Sequence, residues 1–191
     1  MQIALYGGSF NPPHLAHQLT CATVLAAARP SVDEVWVVPT LQHAFDKPLA
    51  PFADRFAMCE RAMRIFGDRV RINRIEEELG GASYTLRTVK ALRAKYPHHA
   101  LRLVIGSDLV SERARWHGWE ELVALVPFLV IGRAGRDEAP LAPGDHRVPI
   151  DLPDVSSTEA RRRIADDEPT EGLLDEEVAR YVAARSLYRA A

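Results

Sequence analysis

His14 and His17 stand three residues apart, just downstream of a glycine pair, in the run Gly7-Gly8-Ser9-Phe10-Asn11-Pro12-Pro13-His14-Leu15-Ala16-His17. Two imidazoles at that spacing share one face of a helix, and near its N-terminal end they aim where unpaired backbone N–H groups collect. That place suits an anion, phosphate above all, because amide dipoles and imidazole donors offset charge that builds on phosphoryl oxygens during transfer. Taken singly, a Gly-Gly turn and two surface histidines are ordinary. Their combination directly after an N-terminal strand favours a phosphate site built from Gly7, Gly8, Ser9, Phe10, His14 and His17.

The elements that must hold these residues follow from the apolar pattern. Ile3-Ala4-Leu5-Tyr6 reads as a buried strand, the two glycines predict an abrupt turn, and Pro12 and Pro13 suit the entry of a helix predicted over residues 14–29. Residues 34–39 form a second apolar run ended by Pro39, and strands without alternation suit a parallel sheet covered on both faces. Residues 101–105 are the strongest central-strand candidate, residues 128–131 a further strand, and residues 70–75 alternate as an edge strand would. Helical spacing appears over 52–66, 86–96 and 175–188. The expected fold class is α/β, a three-layer Rossmann-like parallel sheet of five to six strands with helices on both faces, in one domain spanning residues 1–191.

Composition narrows the partners. The chain has 191 residues, 47% hydrophobic and 26% charged, with a net charge of −2, so neither nucleic acid nor an anionic membrane is called for and small-molecule substrates are favoured. The start of the chain has no basic and apolar leader pattern, which implies a cytoplasmic location. Cys21 and Cys59 lie far apart in helix-like apolar sequence and read as buried thiols, not as a zinc site or a disulfide. Oligomeric state is left open.

Several other residues carry two readings each. Lys47, in a loop predicted over residues 40–51, and Arg55, in the first turn of the next helix, are either phosphate clamps or solvated cations. Ser83 and Thr85 precede a helix and suit a cap. Asp108, after Gly106-Ser107, either accepts from ribose hydroxyls at the carboxyl edge of the sheet or caps a helix. Ser156, Ser157 and Thr158 are either caps or a second phosphate cradle, with Arg161 placed to neutralise a departing anion. Glu76-Glu77-Glu78 reads as a solvated charge run.

The motif GGSFNPPHLAH resembles the GxFxPxHxGH signature of the nucleotidyltransferase superfamily, with Ala16 in place of the second glycine. SYTLRTVKAL is similar to the SYTxDTLxxL segment of its pyridine-nucleotide adenylyltransferases, with Arg87 replacing Asp. GSDLVSERARW parallels GxDxxxxxxxW, and VSSTEAR resembles ISSTxIR with Ala160 replacing Ile. The likeness covers nearly the whole chain, and on it the sequence is identified as a member of the nicotinate-nucleotide adenylyltransferase family.

The resemblance implies transfer of AMP from ATP to nicotinate mononucleotide, giving deamido-NAD and pyrophosphate, with Mg²⁺ held mainly by the ATP phosphates and no dedicated metal-ligand cluster. It assigns His14, His17, Lys47 and Arg161 to the reacting phosphates. To ATP it assigns Gly7, Gly8, Ser9, Phe10, Gly106, Asp108, Arg133, Ser156, Ser157 and Thr158. To the acceptor it assigns Ser83, Tyr84, Thr85 and Trp116, whose indole would stack on the pyridine ring, with Arg55 in support; Trp119 is read as core. Nicotinamide mononucleotide or phosphopantetheine as acceptor, or a nucleotide-binding sensor without turnover, are the alternatives.

Overall fold

The computed structural model describes residues 1–28, 30–43, 48–107, 116–133, 141 and 144–189. Its strands are β1 (Gln2–Gly8), β2 (Glu34–Pro39), β3 (Gln42–His43), β4 (Val70–Ile72), β5 (Ala82–Ser83), β6 (Ala100–Gly106), β7 (Phe128–Arg133) and β8 (His146–Leu152). The helices are α1 (Leu15–Ala27), α2 (Phe52–Met63), α3 (Ile75–Leu79), α4 (Thr85–Lys95), α5 (Trp119–Leu125), α6 (Ser157–Ala165) and α7 (Glu176–Ala184), with a 3-10 helix, Arg64–Arg69, continuing α2.

Six strands form one sheet in the order β4-β2-β1-β6-β7-β8, every neighbouring pair parallel. Successive side chains of a strand point to opposite faces, so each strand serves two cores. Ala4, Val35, Val37 and Val104 pack against Cys21 and Val24 of α1, Met58 of α2 and Val178 of α7. Ile3, Leu5, Trp36 and Leu103 pack on the other face against Ile75 of α3, Val89 of α4 and Leu122 of α5. This is the three-layer α/β arrangement, with six strands. Both cysteines are free and buried, and burial pushes the Cys21 thiol up to about 12.

The chain runs from β1 outward through β2 to β4, then returns to place β6 on the other side of β1. The carboxyl ends of β1 and β6 therefore flank the point where the connections diverge, the position at which open α/β sheets bind ligands. Tyr6 of β1 is level with Val37 of β2 and Val104 of β6, which brings both loops that leave these strands to one edge.

Three elements differ from the expectation. β1 continues through Gly7 and Gly8, and the turn falls two residues later, at Phe10, whose φ is 46°. β4 ends at Ile72, because the Asn73 side chain accepts from Ile75 N–H at 2.9 Å and turns the chain into α3. β8 was not legible because Pro149 interrupts it; the strand is tolerated at the sheet edge, where its register against β7 shifts between Ile131 and Gly132.

Candidate active site

Within the glycine pair, Gly8 has a packing role. A Cβ on Gly8 would meet the Phe10 ring at 3.1 Å, so a side chain there would force the ring away. Phe10 is 1% exposed, and its ring stands edge-on to Tyr6 at 5.6 Å and beside His17 at 4.8 Å. The Ser9–Pro13 turn is thereby fastened to the strand it leaves and to the helix it enters.

His14 is the N-cap of α1 and His17 its third residue, with ring centroids 3.7 Å apart. The His14 backbone N–H donates to His17 Nδ1 at 3.0 Å. An imidazole that accepts at Nδ1 carries its proton on Nε2, so His17 is held as an Nε2–H donor beside a helix N-terminus. The two histidines share one place, as their spacing predicts.

Asn11 ties three parts of the chain to this turn. It is 2% exposed; its Oδ1 accepts from Ala50 N–H at 3.0 Å and from the Tyr188 hydroxyl at 2.9 Å, and its carbonyl accepts from Arg161 Nη1 at 2.8 Å. Ser157 Oγ donates to the Pro12 carbonyl at 2.9 Å. The start of α6 is therefore docked on the Ser9–Pro13 turn. Ser156 caps α6, accepting from Glu159 N–H, while Thr158 Oγ1 accepts from Arg161 Nη2 at 3.3 Å. Of these, Ser156 and Thr158 are exposed and Ser157 and Arg161 half-buried. The second motif thus adds a second helix N-terminus beside the first, separated from it by more than 140 residues of sequence.

Arg55 requires a correction. Its side chain is 1% exposed, with Nε donating to Ala50 O at 2.9 Å, Nη1 to Ser9 O at 2.9 Å and Nη2 to Leu41 O at 3.1 Å. It is not the solvated cation of the alternative reading; it pins three backbone segments around the Ser9 turn. Burial lowers its pKa from the usual arginine value. The fork of five N–H donors suits three converging carbonyls, which a lysine could not serve alike.

Beyond the carboxyl ends of β1 and β6 lies a cavity of about 510 Å³. Gly7, Gly8 and Ser9 form one part of its wall, and Ser83, Tyr84, Thr85 and Trp116 another. The Tyr84 ring lies 5.0 Å from His117, and Trp116 stands edge-on to Trp119 at 5.9 Å, which in turn packs on Phe128 at 5.3 Å. Gly118 makes that turn possible: its φ is +67°, and a Cβ there would sit 2.3 Å from Leu86 Cδ2 of α4. Ser83 Oγ accepts from Leu41 N–H at 2.9 Å, which fixes the Ser83-Tyr84-Thr85 turn against the segment leaving β2. Arg87 donates to the carbonyls of Leu79 and Gly80, so the residue that departs from the family pattern closes the end of α3.

The remaining sequence candidates divide. Gly106 ends β6 next to the buried Ser107, at the edge of the same crevice. Lys47 and Asp108 lie outside the described residues, as does the side chain of Arg133, whose backbone ends β7. Glu76 is a second correction: it is 5% exposed, lines the cavity, and its Oε1 accepts from the Thr88 hydroxyl. Thr40, His43, Thr88 and His117 also reach the cavity wall and carried no local sequence signal. Among the described residues no group of three or more His, Cys, Asp or Glu is placed to hold a metal ion, and no helix is long and apolar enough to cross a membrane.

Comparison with known proteins decides the family. The cytidylyltransferase-like family model matches residues 5–163, from β1 to the end of the second helix-cap motif. The chain belongs to the cytidylyltransferase-like family. Its relatives in that family include the probable nicotinate-nucleotide adenylyltransferase of Anaeromyxobacter sp. (strain K), 44% identical over 98% of this chain and 97% of the relative. Another, from Myxococcus xanthus (strain DK1622), is 35% identical over 98% and 95%. The solved structure of Plasmodium falciparum nicotinic acid mononucleotide adenylyltransferase complexed with NaAD has the same fold, with a TM-score of 0.83 and 22% identity over 98% of this chain and 97% of that one. In this cytidylyltransferase-like chain both helix-cap motifs lie inside the matched span.

Proposed function

We infer that the protein transfers AMP from ATP to nicotinate mononucleotide, giving deamido-NAD and pyrophosphate. The observation that carries this reading is one cavity whose wall combines the Gly7-Gly8-Ser9 edge of a phosphate-binding turn with the aromatic Tyr84 and Trp116 beside Thr85. A flat aromatic wall suits a pyridine ring, and the turn suits phosphates. The names of the full-length relatives support the same acceptor.

In the proposed reaction a phosphate oxygen of the mononucleotide attacks the α-phosphorus of ATP in line. One P–O bond forms, the bond from the α-phosphorus to the α,β-bridging oxygen breaks, and pyrophosphate leaves with that oxygen. No side chain acts as nucleophile, so the protein contributes position and countercharge. His17, which accepts at Nδ1 and so carries its proton on Nε2, and His14 meet the ATP phosphates. Arg161, with Ser157 and Thr158 at the start of α6, balances charge on the departing pyrophosphate, and Lys47 is assigned the same task. Gly106, Asp108, Arg133 and Ser156 are assigned to the nucleoside side of ATP.

Mg²⁺ is the proposed metal. The donors around the turn are imidazoles, hydroxyls and guanidinium, a set that leaves a hard cation to phosphate oxygens and water. When bound it neutralises charge on the triphosphate.

The test uses nicotinate mononucleotide labelled with ¹⁸O in its phosphate, incubated with ATP and Mg²⁺. The reading expects deamido-NAD that retains all of the label and pyrophosphate that carries none. Label in pyrophosphate, or formation of neither product, would contradict it.

A further inference from the structure

Three glutamates follow one another on α3, and the structure separates them. Glu77 pairs with Arg74 at 2.8 Å and Glu78 with Lys95 at 2.7 Å, both in solvent. Glu76 turns inward. It is buried at 5% exposure, lines the cavity that holds Tyr84, Thr85 and Trp116, and forms no ion pair among the described residues. Its Oε1 accepts from the hydroxyl of Thr88, one turn into α4, and Thr88 Oγ1 also lies 3.2 Å from the Tyr84 carbonyl. A carboxylate taken out of water without a cation is costly, so a protein that keeps one on a cavity wall has a use for the charge there.

We propose that Glu76 is the countercharge for a cationic ring, and that it selects N-alkylated pyridinium acceptors over uncharged aromatic ones. The inference rests on the reading of the cavity as the acceptor site. A pyridine attached to ribose through its nitrogen carries a permanent positive charge, spread over a ring that Trp116 and Tyr84 are placed to cover. A carboxylate in the same low-dielectric wall stabilises that charge more than it would in water. Thr88 orients the carboxylate, so the pair acts on binding and not on the reacting phosphates. Glu76 is thus a specificity-determining residue, distinct from the histidines and Arg161.

Two ring probes of equal shape separate charge from packing: N-methylnicotinate, whose ring is cationic, and 3-methylbenzoate, whose ring is not. Each is measured as a competitive inhibitor against nicotinate mononucleotide in the wild type and in Glu76→Gln, which keeps the size and an acceptor for Thr88. The preference of the wild type for the cationic probe is expected to fall roughly tenfold in the variant, with a comparable rise in KM for nicotinate mononucleotide and the loss carried by KM, not by kcat. A probe preference that is the same in both proteins would overturn the proposal and leave Glu76 as a structural partner of Thr88. Absence of any turnover of nicotinate mononucleotide by the wild type would instead overturn the reading of the site, so the two failures are told apart.

Discussion

Arg55→Lys asks whether the buried guanidinium is a ligand for substrate or a pin for the backbone. In the wild type it serves the carbonyls of Ser9, Leu41 and Ala50 together, at 2.9 to 3.1 Å. An ammonium ion on a shorter stem cannot reach three carbonyls that converge on a planar fork, so at least two charged hydrogen bonds are lost. At about 1.5 kcal/mol each, the loss comes to roughly 3 kcal/mol, before any cost of leaving carbonyls unpaired in the interior. For a chain of this length that lowers the melting temperature by roughly 10 °C. Thermal unfolding followed by circular dichroism reads this directly, and steady-state kinetics at a temperature well below the transition reads the rest. The reasoning is refuted if the variant melts with the wild type while KM for ATP or the acceptor rises severalfold, because the guanidinium would then be meeting substrate.

Further expectations follow from the same geometry. His17→Gln keeps an acceptor for the His14 N–H, as glutamine does in a capping box, so the fold should melt as before while turnover falls by about two to three orders of magnitude; wild-type turnover would show the imidazole idle. Gly118→Ala places a Cβ 2.3 Å from Leu86 Cδ2 at a φ of +67°, and should cost about 1–3 kcal/mol in denaturant unfolding while raising KM for the acceptor through displacement of Trp116; unchanged stability would refute the close approach. Arg162 and Arg163 lower the Glu159 pKa from its ordinary 4.5 to about 2, so its contribution to stability is complete above pH 4.5 and is lost as pH falls toward 2. The Glu159 side chain is 38% exposed, so the acid limb of the stability curve should differ between wild type and Glu159→Gln at low salt and converge at high salt; a difference above pH 4.5 that grows as pH rises would contradict the sign.

The fold was legible where strands were apolar without interruption. β2 begins and ends at Glu34 and Pro39 as the apolar run does, and β6 lies next to β1 at the centre of the sheet. What failed were places where a local rule met a tertiary partner. Gly7 and Gly8 look like a turn because glycine permits one, yet the strand continues through them and Gly8 instead makes room for the Phe10 ring. Pro149 hides β8 because the cost of a proline in a strand depends on whether the strand is an edge.

The candidate site divides along the same line. His14, His17 and the Ser156–Arg161 motif are short-range patterns, and the structure gathers them around one turn. Arg55 and Glu76 were misread for a common reason: an arginine in a first helical turn and a glutamate in an acidic run are solvent residues in most settings, and only the packing of distant segments reverses that. The three carbonyls that hold Arg55 come from residues 9, 41 and 50, and the partner of Glu76 is Thr88 on the next helix. Asn11, which joins Ala50, Arg161 and Tyr188, gives no local signal of being a junction.

Transfer to a pyridine mononucleotide is read from pyrophosphate release with ATP and Mg²⁺, with nicotinate mononucleotide, nicotinamide mononucleotide and phosphopantetheine compared as acceptors in parallel. The account predicts release with nicotinate mononucleotide at a rate well above the other two. Faster release with phosphopantetheine would contradict the aromatic acceptor site at Tyr84 and Trp116, and no release with any acceptor, while ATP still binds, would contradict the transferase itself.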